Sequence, residues 1–332
     1  MKEYIVRRLL YVVVVLVAVA VVGFLIIELP TGDFVTTLIA QLEASGQRVE
    51  IEEVERLRQL YGLDSPVYVR FVKWASRLVR GQLGVSLAFN RPVKELILER
   101  LPVTIALSIA TLLFTYVVAI PIGIYSATRQ YSFTDFALTT LGFIGLATPN
   151  FLLALVLMFF FFSCCSVSIG GLFSLQYAAA DWSLGKVWDL LKHLPTPIIV
   201  IGTAGTAGVI RVMRGSVLDE LQRQYVITAR AKGVGETTLL FRYPVRVALN
   251  PIVSTIGWVL PAIVSGEAIT AVVLSLPTTG PLLLNALLAQ DMYLAATIVV
   301  LLTVLTVIGT LLSDIVLVTL DPRIRYERAP GT

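Results

Sequence analysis

Six separated blocks of apolar residues, each long enough to cross a bilayer as a helix, constrain this chain more than any motif in it. A membrane-spanning helix needs about 20 mostly apolar residues to cross roughly 30 Å of hydrocarbon. The blocks run from Leu9 to Leu29, Val103 to Tyr125, Phe136 to Phe162, Leu194 to Ile210, Ile252 to Leu274 and Tyr293 to Val318. The fourth is short and rich in small residues, which leaves its ends the least defined. With 57% hydrophobic and 14% charged residues among 332, the apolar content is gathered into blocks instead of the alternating patches of a soluble core. The expected fold class is an all-α polytopic membrane protein with six transmembrane helices.

Lys2, Arg7 and Arg8 precede the first block in the manner of a signal peptide. A secretory apolar region typically has only about 7 to 15 residues, and no A-x-A-like site follows Leu29 and Pro30, so the block reads as an uncleaved span. Lys and Arg in short loops stay on the cytoplasmic side. With the N-terminus inside, the inner segments hold Lys2, Arg7, Arg8, Arg129, Arg211, Arg214, Arg223, Arg230, Lys232, Arg242, Arg246, Arg323, Arg325 and Arg328, fourteen in all. The outer loops after the third and fifth spans hold only Lys186 and Lys192. The other ten of the 26 basic residues lie between Pro30 and Pro102, a stretch long enough to be translocated whatever its charge. Both termini are therefore expected in the cytoplasm, and the protein in the inner or plasma membrane. The formal net charge of +4 reports topology, not binding to nucleic acid.

The stretch from Pro30 to Pro102 reads as a small extracytoplasmic helical unit. Glu50 to Tyr61 (EIEEVERLRQLY) sets acids before bases at helical spacing, Gly62 can end that helix, and Pro66 restarts the chain before an amphipathic run through Trp74, Leu78 and Val79. A solvated cap over the bundle explains it better than a catalytic domain, because it holds no His or Cys and its charges nearly balance.

Catalytic constellations are missing elsewhere too. His193 is the only histidine, next to Leu194-Pro195, and without a spaced carboxylate or cysteine it supports neither a metal site nor a triad. Cys164 and Cys165 are adjacent, where a vicinal disulfide would be strained, and read as two apolar thiols. No G-x-x-x-x-G-K-S/T sequence occurs, so the chain has no P-loop for nucleotide. The run Gly202-Thr203-Ala204-Gly205-Thr206-Ala207-Gly208 resembles a phosphate cradle, but inside an apolar span it allows close helix approach through small-residue packing. Ionisable groups in a bilayer are expensive. Glu28 and Asp314 lie near span ends and can reach the interface, whereas Glu267 is deeper and faces either a water-filled path or a partner helix. Thr148-Pro149-Asn150 interrupts the third block, as a kink or as a gating bend around Asn150.

The loop from Arg211 to Asn250 is longer than a turn requires. It opens on Arg211 to Leu221, read as an amphipathic helix lying at the inner interface. Tyr225-Val226-Ile227-Thr228-Ala229-Arg230-Ala231-Lys232-Gly233 then forms a short polar helix, with Val226, Ala229 and Gly233 on a face of small side chains into which another protein's groove could fit. An ordinary basic inner loop is the plainer alternative.

Tyr225 to Gly233 resembles the "EAA" coupling-helix motif of ABC importer permeases, in the form typical of the first permease of the dipeptide and oligopeptide group. Further segments resemble the same subfamily in the same order: Val6-Arg7-Arg8-Leu9-Leu10, Tyr61-Gly62-Leu63-Asp64, Gly84-Val85-Ser86-Leu87 with Arg91-Pro92-Val93, and Glu99-Arg100-Leu101-Pro102-Val103-Thr104. Pro121-Ile122-Gly123, Pro149-Asn150-Phe151, Pro277 to Gly280 and the C-terminal Leu320-Asp321-Pro322-Arg323-Ile324-Arg325-Tyr326 continue the series. Thr228 stands where the wider family often has Glu, Ala229 at the following Ala, and Gly233 at the glycine. Two departures stand out. Tyr243-Pro244-Val245-Arg246-Val247-Ala248 replaces His-Ala-Leu-Arg-Asn-Ala, stiffening the exit from the helix. Ala271 replaces the acid usual before the P-G-x-G loop, here Pro277-Thr278-Thr279-Gly280, and the acid lies one turn earlier as Glu267.

The resemblance implies a type I ABC importer permease fold. Residues 1–30 would form the N-terminal transmembrane helix, 31–100 the extracytoplasmic segment, 101–320 the permease core with a coupling helix at about 222–240, and 321–332 a cytoplasmic tail. It implies no catalytic residue, metal or cofactor in this chain, with ATP and Mg bound by two partner ATPase subunits. A homologous second permease, an extracytoplasmic solute-binding protein and membrane lipid complete the partners. Tyr225, Thr228, Ala229, Arg230, Ala231, Lys232, Gly233 and Glu236 would contact the ATPase, and Asn150 and Glu267 would serve the pathway or its gate. Peptides are the implied solute, with oligosaccharides or nickel carried by relatives. A secondary transporter would account for six spans and Glu267, but it usually shows internal repeats with matching broken helices, which this sequence lacks. A membrane-embedded enzyme would need the constellations already found missing.

Overall fold

A computed structural model describes residues 2–29, 32–46, 51–165, 170–178, 180–181 and 183–320. The first helices in chain order are α1 (Lys2–Glu28), α2 (Phe34–Ala44), α3 (Ile51–Tyr61), α4 (Val67–Val79) and α5 (Val93–Thr128). They are followed by α6 (Phe133–Ala147), α7 (Asn150–Cys165), α8 (Leu175–Ala178), α9 (Leu184–His193) and α10 (Pro195–Leu221). The last are α11 (Gln224–Ala231), α12 (Glu236–Arg242), α13 (Pro244–Val273), α14 (Thr279–Leu288) and α15 (Met292–Leu320). Five stretches are long and apolar enough to cross a membrane, and a sixth span is counted when α6 and α7 are taken together. The described residues thus form the multi-pass, all-α membrane architecture expected from the apolar blocks. The C-terminal segment Asp321 to Tyr326 and the side chain of Cys165 lie outside the described residues.

Two sequence expectations are corrected. The stretch Arg211 to Leu221 is no separate interfacial helix but the continuation of α10. It contains no proline, and Met213 and Val217 are fully buried, so the apolar face carries on after the hydropathy falls. The third block is also more than kinked, since α6 and α7 meet at 104°. Pro149 drives Thr148 into extended backbone (φ −89°, ψ 120°), because the residue before proline is disfavoured in the helical region.

The chain divides into two compact units, Met1–Thr104 with Thr278–Val307, and Ile105–Pro277 with the chain from Ile308 onward. In the first unit, Phe24 of α1 meets Phe71 edge-on at 5.4 Å and Trp74 at 5.5 Å, and the Trp74 indole donates to Thr297 Oγ1 at 3.3 Å. Arg70 closes on Glu28 at 2.7 Å. Gly62 adopts φ +69°, the left-handed conformation that ends α3. Two of the family-like segments find physical reasons here. Ser86 Oγ donates to Asp291 at 2.5 Å, and Asp291 accepts the Leu294 N–H at 3.1 Å, capping α15. The Thr279 N–H donates to Thr104 Oγ1 at 2.9 Å, satisfying an orphan donor at the start of α14.

In the second unit α10 is the central helix, and its glycines set its neighbours. A Cβ at Gly202 would meet Phe114 at 2.9 Å, one at Gly205 would meet Thr115 at 3.7 Å and Val259 at 3.8 Å, and one at Gly208 would meet Trp258 at 3.2 Å. The glycine run therefore seats α5 and α13 against α10 by small-residue packing, as its position in an apolar span implies.

Candidate functional site

Between α10 and α13 the chain folds into two short helices, α11 and α12. Only Gln222 and Arg223 separate α10 from α11, and only Tyr243 separates α12 from α13. Pro244 occupies the first turn of α13, where its missing N–H costs nothing. Val226 and Ala229, one turn apart, are buried against the fully buried Leu239 of α12, with Val234 and Tyr243 packed around them. The small face expected to point outward is thus turned inward. An eight-residue helix cannot hold itself together alone, and its stability comes from laying its apolar stripe on a neighbour. Tyr225, Ile227, Thr228, Arg230, Ala231 and Lys232 are left exposed.

Gly233 has a backbone role. Its φ of +78° is left-handed; its N–H donates to Arg230 O at 3.0 Å, and the Val234 N–H reaches back to Ala229 O at 3.3 Å. These are the two bonds of a Schellman cap, completed by Val234 packing on the buried cluster. A Cβ at Gly233 would meet nothing within 4 Å, so space is not what requires glycine. Non-glycine residues at left-handed φ cost roughly 1–2 kcal/mol, with Asn the usual exception. Gly233→Leu is therefore expected to lower amide-exchange protection across Ala229 to Val234 by about tenfold, since 1.4 kcal/mol is a factor of ten, while Gly233→Asn stays near wild type. Equal protection in both variants would remove the cap from the argument.

Side-chain links hold this element in place. Arg230 donates to both Glu236 oxygens, at 2.7 and 3.1 Å, tying α11 to the first turn of α12. This fork keeps the Arg230 guanidinium above its usual pKa. Tyr225 donates its hydroxyl to Glu220 at the end of α10, and its ring lies 6.4 Å from that of Tyr243. Burial and the Glu220 carboxylate push the Tyr225 phenol up to about 12.

A second anchor sits where α5, α6 and α10 meet. Asp135 is buried and accepts from Arg214 Nε at 3.0 Å and Nη2 at 2.9 Å, from the Tyr131 N–H at 3.0 Å, and from Ser126 Oγ. Ser132 caps α6 by accepting the Asp135 N–H at 3.2 Å. The pattern Ser132-x-x-Asp135 is close to a capping box, a signal present in the sequence but not read there.

Asn150 opens α7, its Nδ2 3.5 Å from Ile201 O, so the gating candidate touches α10. Glu267 is buried, and Ile263, Thr270, Ala271 and Leu274 on the same helical face are buried with it. The one-turn shift from Ala271 to Glu267 therefore keeps the acid on the same face. On α5, Ser108, Thr111 and Thr115 bury hydroxyls that have no hydrogen-bond partner among the described residues, a polar stripe the apolar block concealed. The His193 Nδ1 lies 2.8 Å from Asp189 O, one turn back on its own helix, and 3.7 Å from the Asp189 carboxylate that the sequence reading did not pair with it.

This fold, with a preformed two-helix element joining two of its long helices, defines a membrane permease component. Residues 119–326 match the family described as binding-protein-dependent transport system inner membrane component, and residues 1–108 match the N-terminal family of the same membrane components. The chain belongs to this family. It is 33% identical over 327 residues to the oligopeptide transport system permease protein AppB of Bacillus subtilis, covering 98% of this chain and 100% of that one. A putative peptide permease protein of Brucella ovis is 34% identical over 333 residues, with 98% and 99% covered. A probable peptide ABC transporter permease protein of Sinorhizobium fredii is 32% identical over 327 residues, with 98% and 100% covered.

Proposed function

We propose that this chain is the permease subunit of an ATP-driven, binding-protein-dependent peptide importer, supplying half of a translocation pathway completed by a homologous second permease. The observation that carries the mechanism is the outward face of α11, mounted on an element with almost no slack toward α10 or α13. Two ATPase subunits, holding ATP and Mg, close against Tyr225, Thr228, Arg230, Lys232 and the neighbouring Glu236. Ala229 and Gly233 act from behind that face, one by packing on Leu239 and the other by capping the helix. The Asp135 and Arg214 pair ties the base of α10 to the turn between α5 and α6, so displacement of α11 reaches three long helices together. A solute-binding protein delivers peptide on the opposite side. The relatives' names support peptides over oligosaccharides or nickel.

The excess of basic residues at Arg129 and between Arg211 and Arg246 supports a cytoplasmic position for this element and for both termini. Cysteines placed at Gln130 and Gln222 are expected to react with a permeant thiol reagent only. Co-expression with the ATPase subunits should recover a stable assembly whose peptide uptake into vesicles requires ATP and the binding protein. Uptake driven by an ion gradient without ATP would overturn the reading in favour of a secondary transporter.

A further inference from the structure

We propose that the furrow between α6 and α10 is a binding site for an anionic phospholipid, with one acyl chain along its floor and the phosphate on Arg211. Two adjoining cavities, of about 320 and 210 Å³, share Leu138, Gly142, Ala207 and Ile210 and so make one continuous groove. The floor is shallow because the helices nearly touch, a Cβ at Gly142 standing 3.9 Å from that of Ala207 and one at Gly145 standing 2.9 Å from Thr203. Such a furrow admits a single hydrocarbon chain, whereas a helix with side chains is about 10 Å across.

The groove is closed at one end by charge. Arg214 spends Nε and Nη2 on Asp135, but Arg211, exposed at the mouth, makes no ion pair or hydrogen bond among the described residues. From Thr203 to Arg211 a helix rises about 12 Å at 1.5 Å per residue, most of one leaflet's share of the roughly 30 Å hydrocarbon thickness. A lipid whose tail fills the furrow thus brings its phosphate to the depth of the guanidinium, which binds phosphate oxygens bidentately. An apolar furrow most of one leaflet deep with an uncommitted arginine at its rim is complementary to an anionic lipid, whereas a zwitterionic headgroup offers the same phosphate but sets its own cation beside the guanidinium.

The test uses the full-length chain, delipidated in mild detergent and titrated with dioleoyl phosphatidylglycerol or dioleoyl phosphatidylcholine under native mass spectrometry. Wild type should retain phosphatidylglycerol in preference, and added inorganic phosphate should not displace it. Arg211→Gln should lose that preference by about tenfold, the scale of one charge-assisted bond, and Arg211→Lys by less. Gly142→Leu fills the floor while leaving Arg211 intact and should expel the lipid. Unchanged phosphatidylglycerol retention in Arg211→Gln would overturn the site even if Gly142→Leu folded poorly. Displacement by phosphate alone would reduce it to a free-anion site, and a second copy of the chain held in place of lipid, and lost in Gly142→Leu, would make the furrow a protein interface.

Discussion

Asp135→Ala is expected to destabilise the second unit by about 3 kcal/mol and to cut ATP-driven uptake. Removing one member of a buried ion pair costs roughly 3–5 kcal/mol because the other is left buried without its counter-charge. The low end applies, since the Arg214 side chain keeps 26% of its surface in solvent while Asp135 keeps 5%. The Tyr131 N–H and the Ser126 hydroxyl lose their acceptor in the same variant. About 3 kcal/mol is roughly two decades in the equilibrium for local opening, measurable by denaturant unfolding in mild detergent. Arg214→Lys keeps the charge but cannot form the two-pronged contact, and should fall between. The double variant Asp135→Leu with Arg214→Met buries no charge and should recover much of the loss. If the double variant loses the sum of what Asp135→Leu and Arg214→Met lose singly, the pair is not coupled and the anchor does not exist.

Spans were legible because composition alone decides them, and α13 continues through Pro251, just before its expected block, and through Pro261 within it. The close packing at Gly202, Gly205 and Gly208 was legible too, because small residues in a span have few other uses. Where the sequence misled, the missing information was a partner in space. The falling hydropathy after Ile210 suggested the end of a span, yet nothing local stops a helix there, and burial of Met213 and Val217 continues it. On α11, periodicity located the small face at Val226 and Ala229 but could not say which way it pointed, because that depends on Leu239, ten residues further along. Helical spacing puts Gly233 on the small face, whereas its φ of +78° gives it a role in the backbone. The Asp135 anchor was half visible. Ser132-x-x-Asp135 is a local pattern, but its ion-pair partner Arg214 is 79 residues away and stood in the sequence only as one basic residue among many.

Gly123 carries the other large expected effect, and it gives a physical reason for glycine in the family-like segment Pro121-Ile122-Gly123. A Cβ there would stand 2.6 Å from Met213 Cβ and 3.2 Å from the Ile210 carbonyl oxygen. Neither atom is the far end of a flexible side chain, so α5 and α10 must part for any larger residue to fit. Met213 is fully buried, which leaves it no vacant direction. Overpacking of this kind costs typically about 1–3 kcal/mol, or roughly one to two decades in an equilibrium constant. Gly123→Ala should already lower the unfolding midpoint in detergent, and Gly123→Val should lower it further and depress uptake, because α10 leads directly into α11. Gly215 on α10 is the matched control. A Cβ there would meet nothing within 4 Å, and replacing a helical glycine by alanine stabilises by roughly 0.5–1 kcal/mol through reduced backbone freedom. Gly215→Ala should therefore raise the midpoint while Gly123→Ala lowers it. Opposite signs from the same chemical change, on helices in one unit, are the signature of close approach at Gly123. Two positive shifts would mean that α5 and α10 do not touch there.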